Sequence, residues 1–244
     1  MIHIWGITDK GVVRTENQDS YCFKLAQDDV ATAIVCDGMG GAQAGNIASA
    51  LAVKSASKYL EKLSLDELRS APGDHLVRAA LLANKSIYRK SCWEIYCRGM
   101  GTTMVAVAVF DGCAHILNIG DSRAYHIGEE GIRQITRDHS VVEDLVQRGE
   151  ITPDEARSHP QKNLITRALG SESHVEGDLY EVKLEKGEFI LMCTDGLSNV
   201  LSDQEILYEV LHGGAASGCC QRLLDVAISR GAPDNVTAVV IQFV

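Results

Sequence analysis

Three apolar runs in this 244-residue chain stop at the same kind of turn, in which an aspartate stands beside a glycine. The runs are I-V-C-D-G, L-N-I-G-D and L-M-C-T-D-G, and their aspartates are Asp37, Asp121 and Asp195. Two more aspartates flank apolar runs, Asp19 in E-N-Q-D-S and Asp234 in A-P-D-N-V-T. The chain must therefore fold so that several strand ends carry a carboxylate.

The apolar runs have the composition of buried β-strands, because each is short and rich in Val, Ile and Thr. The predicted strands cover residues 31–36, 102–110, 114–119, 189–193 and 236–243.

Helical patterns occur in adjacent pairs. Residues 44–63 and 74–92 carry Ala, Leu and Ile at three- and four-residue spacing, with a capping box, S-L-D-E, starting at Ser64 between them. A second box, from Ser202 to Glu205, opens a helix to about Leu211, and residues 218–229 give another. Since helices and strands do not alternate, the sequence predicts an α+β fold rather than a doubly wound parallel sheet.

The length and the 45% hydrophobic content fit one domain, residues 1–244. Residues 137–168 are unusually polar and hold two short helix candidates, the second with Thr152 as its cap and Pro153 at its first position. We interpret this segment as an inserted flap at about residues 138–167.

The formal net charge of -10 argues against sequence-independent binding of nucleic acid, which needs Lys and Arg to neutralise phosphates. No apolar run approaches the roughly 18 residues of a membrane span, and the N-terminus lacks the sections of a signal peptide. We therefore expect a cytoplasmic protein that binds neither nucleic acid nor membrane. The eight cysteines show no C-x-x-C spacing and are predicted to be buried, reduced thiols.

One aspartate at a strand end is explained by turn formation, because its side chain bonds the nearby backbone. Several of them together need another explanation, since packed sheets bring their strand ends to one edge. Two carboxylates about 4 Å apart repel by about 4 kcal/mol at an effective dielectric constant near 20. Hard cations would offset this repulsion, and oxygen ligands without a histidine at ligand spacing predict Mg2+ or Mn2+ rather than zinc.

Arg14 precedes Asp19 by five residues in V-R-T-E-N-Q-D. A guanidinium beside a dinuclear metal site suits a bidentate contact with phosphate. The alternative is a surface arginine paired with Glu16 or Asp19, and the spacing is compatible with both.

Taken together, these residues resemble one family, the metal-dependent serine/threonine phosphatases of type 2C, in the short form typical of bacteria. The matching stretches follow in order along nearly the whole chain: T-D-K-G-V-V-R-T-E-N-Q-D-S, V-C-D-G-M-G-G, G-T-T-M-V-A, N-I-G-D-S-R-A-Y, H-P-Q-K-N-L-I-T-R-A-L-G, C-T-D-G-L-S-N-V and P-D-N-V-T-A. The resemblance implies a four-layer sandwich in which two antiparallel sheets are flanked by helix pairs, with metals bound at one end.

The resemblance also implies a role for each matching residue. Asp37 would bridge two metals and the Gly38 carbonyl would bind one of them. Asp195 and Asp234 would hold the first metal, and Asp19 would act near the second through water.

Two further positions match family sites. Asp121, in G-D-S-R, matches the position of a third, weaker metal in bacterial relatives, and Arg14 matches the phosphate-binding arginine. The implied reaction is hydrolysis of phosphoserine or phosphothreonine by a hydroxide that bridges two Mn2+ or Mg2+ ions, without a covalent phosphoenzyme.

The proton donor for the leaving oxygen has no clear match. Animal relatives use a histidine where this chain has Met39, and many bacterial relatives have one where it has Ala42. The candidates are a water on the third metal and, less favoured, His139 in the flap, since a lone loop histidine is usually solvated.

Three rival interpretations compete with this one. Cys92-W-E-I-Y-C-Arg98 satisfies C-x5-R, the spacing of cysteine-dependent phosphatases, but it contains no glycine and continues a helical pattern. A non-catalytic relative would bind a signalling partner, but such proteins usually lose a metal aspartate. The third interpretation is a nucleotide-binding loop, but the glycines of D-G-M-G-G complete neither the G-x-G-x-x-G motif nor a P-loop.

The resemblance implies that the substrates are phosphorylated proteins, and a stand-alone catalytic domain of this kind is expected to oppose a cognate serine/threonine kinase. We expect a monomer.

Overall fold

The sheets are built from the valine- and isoleucine-rich runs of the sequence. The computed structural model describes residues 1–26 and 29–244, and of residues 41–43 it describes the backbone only. Within this range the strands are β1 (Ile2–Asp9), β2 (Asp19–Ala26), β3 (Val30–Met39), β4 (Gly101–Thr102), β5 (Met104–Phe110), β6 (Cys113–Ile119), β7 (Arg123–Gly128), β8 (Gly131–Gln134), β9 (Asp178–Lys183), β10 (Phe189–Cys193) and β11 (Val236–Phe243).

These strands form two antiparallel sheets. The first has the order β1-β11-β10-β7-β8, and the second has the order β2-β3-β5-β6-β9 with β4 paired to the end of β3. The helices are α1 (Gly41–Leu60), α2 (Leu65–Ser70), α3 (Pro72–Trp93), α4 (Val141–Gln147), α5 (Pro153–Ser158), α6 (Asp195–Ser198), α7 (Asp203–Leu211) and α8 (Cys219–Ser229).

Three apolar layers hold the sheets and helices together. The layer between the sheets contains Val107, Ile116 and Met192, all buried. A second layer packs α1 and α3 on the sheet of β3, β5 and β6, and a third packs α7 and α8 on the sheet of β10 and β11. The α+β prediction and the four-layer sandwich with a helix pair on each side are therefore confirmed.

The predicted strands 189–193 and 236–243 are found with those bounds, and the other three are shifted by a few residues. Five strands were not predicted, β1, β2, β7, β8 and β9. Four of these five lie at sheet edges, where one face is exposed and polar residues interrupt the apolar pattern. The helices and their capping boxes at Ser64, Thr152 and Ser202 are present, although the first helix ends at Leu60 rather than residue 63.

The antiparallel arrangement brings the aspartates to one edge of the sandwich. β2 begins at Asp19 opposite Asp37, near the end of β3. β10 ends just before Asp195. Its antiparallel partner β11 begins just after Asp234. The loop after β6 carries Asp121. Each strand therefore delivers its carboxylate to the same end.

All eight cysteines are free thiols, and five of them are buried. The prediction of buried thiols is wrong for Cys92, which is exposed near the end of α3. Among the described residues, no helix has the length and apolar character needed to cross a membrane.

Candidate metal centre

The backbone of Asp37 is fixed by hydrogen bonds, and Asp37 lines a cleft of about 520 Å³. Its N–H donates to Thr103 Oγ1 at 2.9 Å, and its carbonyl accepts from Thr102 Oγ1 at 2.7 Å and from the Thr103 N–H at 2.9 Å. The same cleft is lined by Asp121, Asp195 and Asp234. The sequence-predicted carboxylates therefore converge.

Asp19 is buried, with 7% of its surface exposed. Its Oδ2 accepts hydrogen bonds from Thr194 Oγ1 at 2.8 Å and from Thr237 Oγ1 at 2.6 Å. Its other oxygen, Oδ1, is buried and receives no hydrogen bond from the described residues. Asp195 repeats this asymmetry, because its Oδ2 accepts from Asn199 at 3.0 Å and its buried Oδ1 has no donor in the part of the chain that the structure describes.

Unpaired buried carboxylate oxygens are costly, and the pKa values of Asp19, Asp37, Asp121 and Asp195 are all raised. Burial is the largest cause, and it raises the pKa of Asp19 and that of Asp121 to about 7. Burial and the neighbouring Asp19 and Asp195 raise the pKa of Asp37 well above its usual range. A site that accumulates this much repulsion with oxygen ligands alone fits hard divalent cations.

The two glycines that follow the aspartates are required by close approaches. A Cβ on Gly38 would lie 2.0 Å from the Gly45 carbonyl oxygen, and a Cβ on Gly196 would lie 1.9 Å from that of Asn235. Gly45 matters in the same way, since a Cβ there would lie 2.6 Å from the Gly38 carbonyl oxygen. The bare backbone at Gly45 therefore keeps a side chain off that oxygen.

Arg14 stands at the rim of the cleft with half of its side chain exposed. Its Nη2 donates to Asp234 Oδ2 at 2.8 Å. The sequence left open a surface pairing with Glu16 or Asp19, but in the structure Arg14 pairs with Asp234. Arg14 therefore faces the carboxylate cluster.

The loop that carries Arg14 is anchored by Asn235, a residue that was not predicted from the sequence. Its Nδ2 donates to the carbonyls of Lys10 and Glu16, both at 2.9 Å, and its Oδ1 accepts from the Gln18 N–H at 2.8 Å. The sequence contains an indication of this role, because Asn235 directly follows the predicted ligand Asp234 in P-D-N-V-T.

The carboxylate oxygens spread more widely than the shell of a single compact site. In the described residues, the one group of three or more His, Cys, Asp or Glu residues whose ligand atoms all lie within 4.8 Å of one another is elsewhere in the molecule and consists of Cys113, His115 and Glu181. The cleft therefore suits separate ions that share ligands, as in two-metal sites.

Comparison with known proteins identifies the family of this chain. A profile described as "Protein phosphatase 2C" matches residues 12–222. The protein phosphatase PhpP of Streptococcus pneumoniae is 35% identical over 236 residues, covering 97% of this chain and 95% of the relative. The chain belongs to the protein phosphatase 2C family.

Solved structures agree with this membership of the protein phosphatase 2C family. The serine/threonine phosphatase of S. agalactiae superposes with a TM-score of 0.91 at 34% identity, over 100% of both chains. The catalytic domain of the serine threonine protein phosphatase PstP, solved in complex with 2 manganese ions, gives a TM-score of 0.84 at 32% identity, over 99% of this chain and 97% of that one. The predicted class of metal-dependent phosphatase is therefore confirmed, as is dependence on a divalent metal.

His139 does not have the environment expected of a solvated loop residue in this phosphatase. It is 5% exposed, its Nδ1 accepts from the Gly120 N–H at 3.1 Å, and its Nε2 lies 3.2 Å from Asp178. Burial lowers the pKa of the His139 imidazole. The prediction of a solvated histidine is wrong, and His139 positions the loop that carries Asp121.

The C-x5-R segment of this phosphatase family member is not a phosphate loop. Its helical pattern breaks, because α3 ends at Trp93 and residues 95–97 form a 3-10 turn. The amides of Cys97 and Arg98 still bond within the segment, to the carbonyls of Glu94 and Ile95. They are therefore not available to cradle a phosphate.

The raised carboxylate pKa values predict how stability depends on pH when metal is removed. Asp19 and Asp121 bind protons more tightly in the folded chain, so their contribution to the free energy of unfolding is present below about pH 4 and is lost as the pH rises to about 7. In chelator, the melting temperature should fall over this range, and added Mg2+ should restore it at the upper end.

The matched control is the double variant Asp19→Asn, Asp121→Asn, whose side chains are close in size and do not titrate. Its melting temperature in chelator should fall less with pH than that of the wild type. Equal slopes for the two proteins would contradict the assignment of the titration to these carboxylates.

Proposed function

We propose that this protein hydrolyses phosphoserine and phosphothreonine in phosphoproteins, using Mn2+ or Mg2+ in the aspartate cleft. The observation that carries the proposal is that two buried oxygens of one carboxylate cluster, Asp19 Oδ1 and Asp195 Oδ1, have no hydrogen-bond donor among the described residues. Arg14 at the rim of the same cleft supplies the cation that a phosphate dianion requires.

The proposed ligands follow the shape of the cleft. Asp37 and Gly38 both line it, and the Asp37 carboxylate and the Gly38 carbonyl would serve two ions. Asp195 and Asp234 would hold the first ion, and Asp19 would act on the second through water. These assignments are supported by convergence and by the unpaired oxygens.

A third ion is proposed beside Asp121. This carboxylate feels the charges of Asp195 and Asp138, and Asp138 is itself clamped by Arg123 with contacts of 2.7–3.0 Å. Because Asp138 is already neutralised by Arg123, the third ion would have fewer strong ligands than the other two. We therefore propose that it binds more weakly.

The bound ions would offset negative charge on the phosphoryl oxygens and make a nucleophile available from water near neutral pH. The chain itself performs the remaining tasks. Among the described residues Arg14 has one hydrogen-bond partner, Asp234, so its other guanidinium donors can orient the phosphate. Thr102 and Thr103 fix the Asp37 backbone, so that its carboxylate does not move when the substrate binds.

The proton for the leaving oxygen is assigned to solvent in the cleft. Met39 lines the cleft where animal relatives have a histidine. Both ring nitrogens of His139 are engaged, with the Gly120 N–H and with Asp178, so His139 is not the proton donor in this proposal. No histidine is found among the described cleft-lining residues.

The first prediction of this proposal concerns the metal ligands. Asp37→Asn and Asp195→Asn should each lower metal-dependent hydrolysis of an aryl phosphate by at least about 100-fold, because the ions supply several kcal/mol of charge stabilisation. Activity is measured with Mn2+ and with Mg2+, on phosphoserine, phosphothreonine and phosphotyrosine peptides, and the first two peptides should be preferred.

Two control variants accompany this test. Asp66→Asn, an exposed aspartate on α2, and Cys92→Ser should both retain wild-type activity. Loss of activity in Cys92→Ser with resistance to chelation would favour cysteine chemistry. A folded wild type that is inactive with every metal would favour the non-catalytic binding module.

The second prediction concerns Arg14. Arg14→Ala should lower kcat/KM by about 10- to 100-fold, the value of one or two charge-assisted hydrogen bonds to phosphate. Arg14→Lys should recover only part of this loss, since lysine keeps the charge but not the fork of donors. Arg89→Ala, an exposed arginine on α3, is the control, and an equal effect of both alanine variants would contradict the role of Arg14.

We also propose that residues 1–244 form one catalytic domain and that the flap at about 138–167 selects among substrates. The flap is tied at its base by the Ser140–Ile165 bridge, and it contributes Asn163 and Ile165 to the cleft lining. A rigid base with side chains over the cleft can contact residues that flank the phosphorylated one.

The third prediction tests the flap. Asn163→Ala and Ile165→Ala should lower kcat/KM for phosphopeptides by about 3- to 10-fold while leaving that for a small aryl phosphate unchanged. An equal fall for both substrates, or no change for either, would contradict selection by the flap.

The remaining assignments concern the cellular setting. We propose that the phosphoprotein substrates include a cognate serine/threonine kinase and that the chain acts as a cytoplasmic monomer. A dimer that persists at all protein concentrations in sedimentation experiments would contradict the monomer. A phosphorylated cognate kinase that the enzyme does not dephosphorylate would contradict the assignment of that kinase as a substrate.

A further inference from the structure

A second cluster of metal-ligand side chains lies far from the aspartate cleft. Cys113, His115 and Glu181 bring one ligand atom each within 4.8 Å of the other two. Cys113 begins β6, whereas the aspartate cleft adjoins the loop after Ile119, where β6 ends. Six residues of strand separate these ends by about 20 Å, so the two sites are independent.

The pairing of β6 with β9 produces the cluster. Cys113 and His115 are two residues apart and therefore share one face of β6. Glu181 on β9 is the register partner of His115. The alternate residues Ala114 and Ile116 point into the layer between the sheets, so the cluster lies on the outer face.

The histidine ring is already oriented. His115 Nδ1 lies 3.6 Å from Glu181 Oε2, close to the spacing of two ligands on a tetrahedral ion. The ring of Phe110 stacks on it with centroids 5.1 Å apart. Burial lowers the pKa of His115, so the imidazole is neutral at neutral pH and has a lone pair for a metal.

The thiol and the surrounding charges complete the description. Burial, followed by the charge of Glu181, raises the pKa of the Cys113 thiol to about 11. Lys183, the register partner of Cys113, acts in the opposite direction and favours the thiolate. Arg69 lines the adjoining hollow, where it pairs with Asp111 at 3.4 Å.

One sulfur, one imidazole nitrogen and one carboxylate oxygen form a set that suits Zn2+ and not Mg2+. Three protein ligands leave a fourth position open. A hollow of about 600 Å³ is lined by the start of α3 and by two of the three ligands, His115 and Glu181.

We propose that Cys113, His115 and Glu181 form a Zn2+ site that fastens the edge strand β9 to β6. Binding displaces the thiol proton to solvent and leaves a thiolate, a neutral imidazole and a carboxylate on the ion. At its other end, β9 begins with Asp178. The Asp178 carboxylate lies 2.8 Å from the Arg167 guanidinium and 3.2 Å from His139 Nε2. The ion would thus stabilise the strand that supports the loop of Asp121.

The test uses Co2+ as a spectroscopic substitute for zinc, with the full-length protein in excess Mg2+ so that the oxygen-lined cleft is occupied. A thiolate bound to Co2+ gives a near-ultraviolet charge-transfer absorption that oxygen ligands do not give. The absorption should saturate at one Co2+ per chain and disappear when Zn2+ is added.

Variants identify the ligands. Cys113→Ser should abolish the absorption, and His115→Gln or Glu181→Gln should weaken Co2+ binding by at least about 10-fold. Cys92→Ser, which removes an exposed thiol outside the cluster, should leave the titration unchanged.

Melting temperature gives a second measurement. Zn2+ at about 100 times its dissociation constant should raise the melting temperature by about 5–10 °C in the wild type and not in Cys113→Ser, again in excess Mg2+. If the absorption is absent, fails to saturate or survives in Cys113→Ser, the cluster is an ion pair beside a thiol, and the proposal is overturned. None of these outcomes depends on phosphatase activity.

Discussion

The structure depends on holding carboxylates next to one another against their mutual repulsion. Asp19 and Asp37 are register partners on adjacent strands, and Asp195 and Asp234 reach the same end from the other sheet. At short range each pair of such charges costs kilocalories unless a cation or a proton intervenes. The raised pKa values express this cost, which is why the cleft is suited to divalent ions.

Hydroxyl groups make this arrangement rigid. Thr194 and Thr237 occupy one oxygen of Asp19, and Thr103 holds the Asp37 amide while sharing a 2.7 Å hydrogen bond with Ser122. These groups fix the Asp19 carboxylate and the Asp37 backbone, and among the described residues they leave Asp19 Oδ1 without a hydrogen bond. The sandwich therefore presents ligands that need little rearrangement, and the binding energy of an ion is not spent on ordering them.

The sequence predicted most of what depends on continuous burial and little of what depends on edges. Central strands such as β10 and β11 have apolar residues on both faces and are visible as unbroken runs, whereas edge strands such as β9 alternate with polar residues. The aspartates were found because they stand at strand ends. Asn235 and Gly45 were missed because their roles are contacts between distant segments. The environment of His139 was predicted wrongly for the same reason.

Manganese-soaked crystals, measured at a wavelength where manganese scatters anomalously, test the central claim most directly. The account predicts two strong anomalous peaks, both beside Asp37, with one within ligand distance of the Gly38 carbonyl and one within ligand distance of Asp195 and Asp234. A cleft without manganese peaks in a folded, manganese-saturated crystal would contradict it, since the unpaired oxygens of Asp19 and Asp195 would then need another explanation.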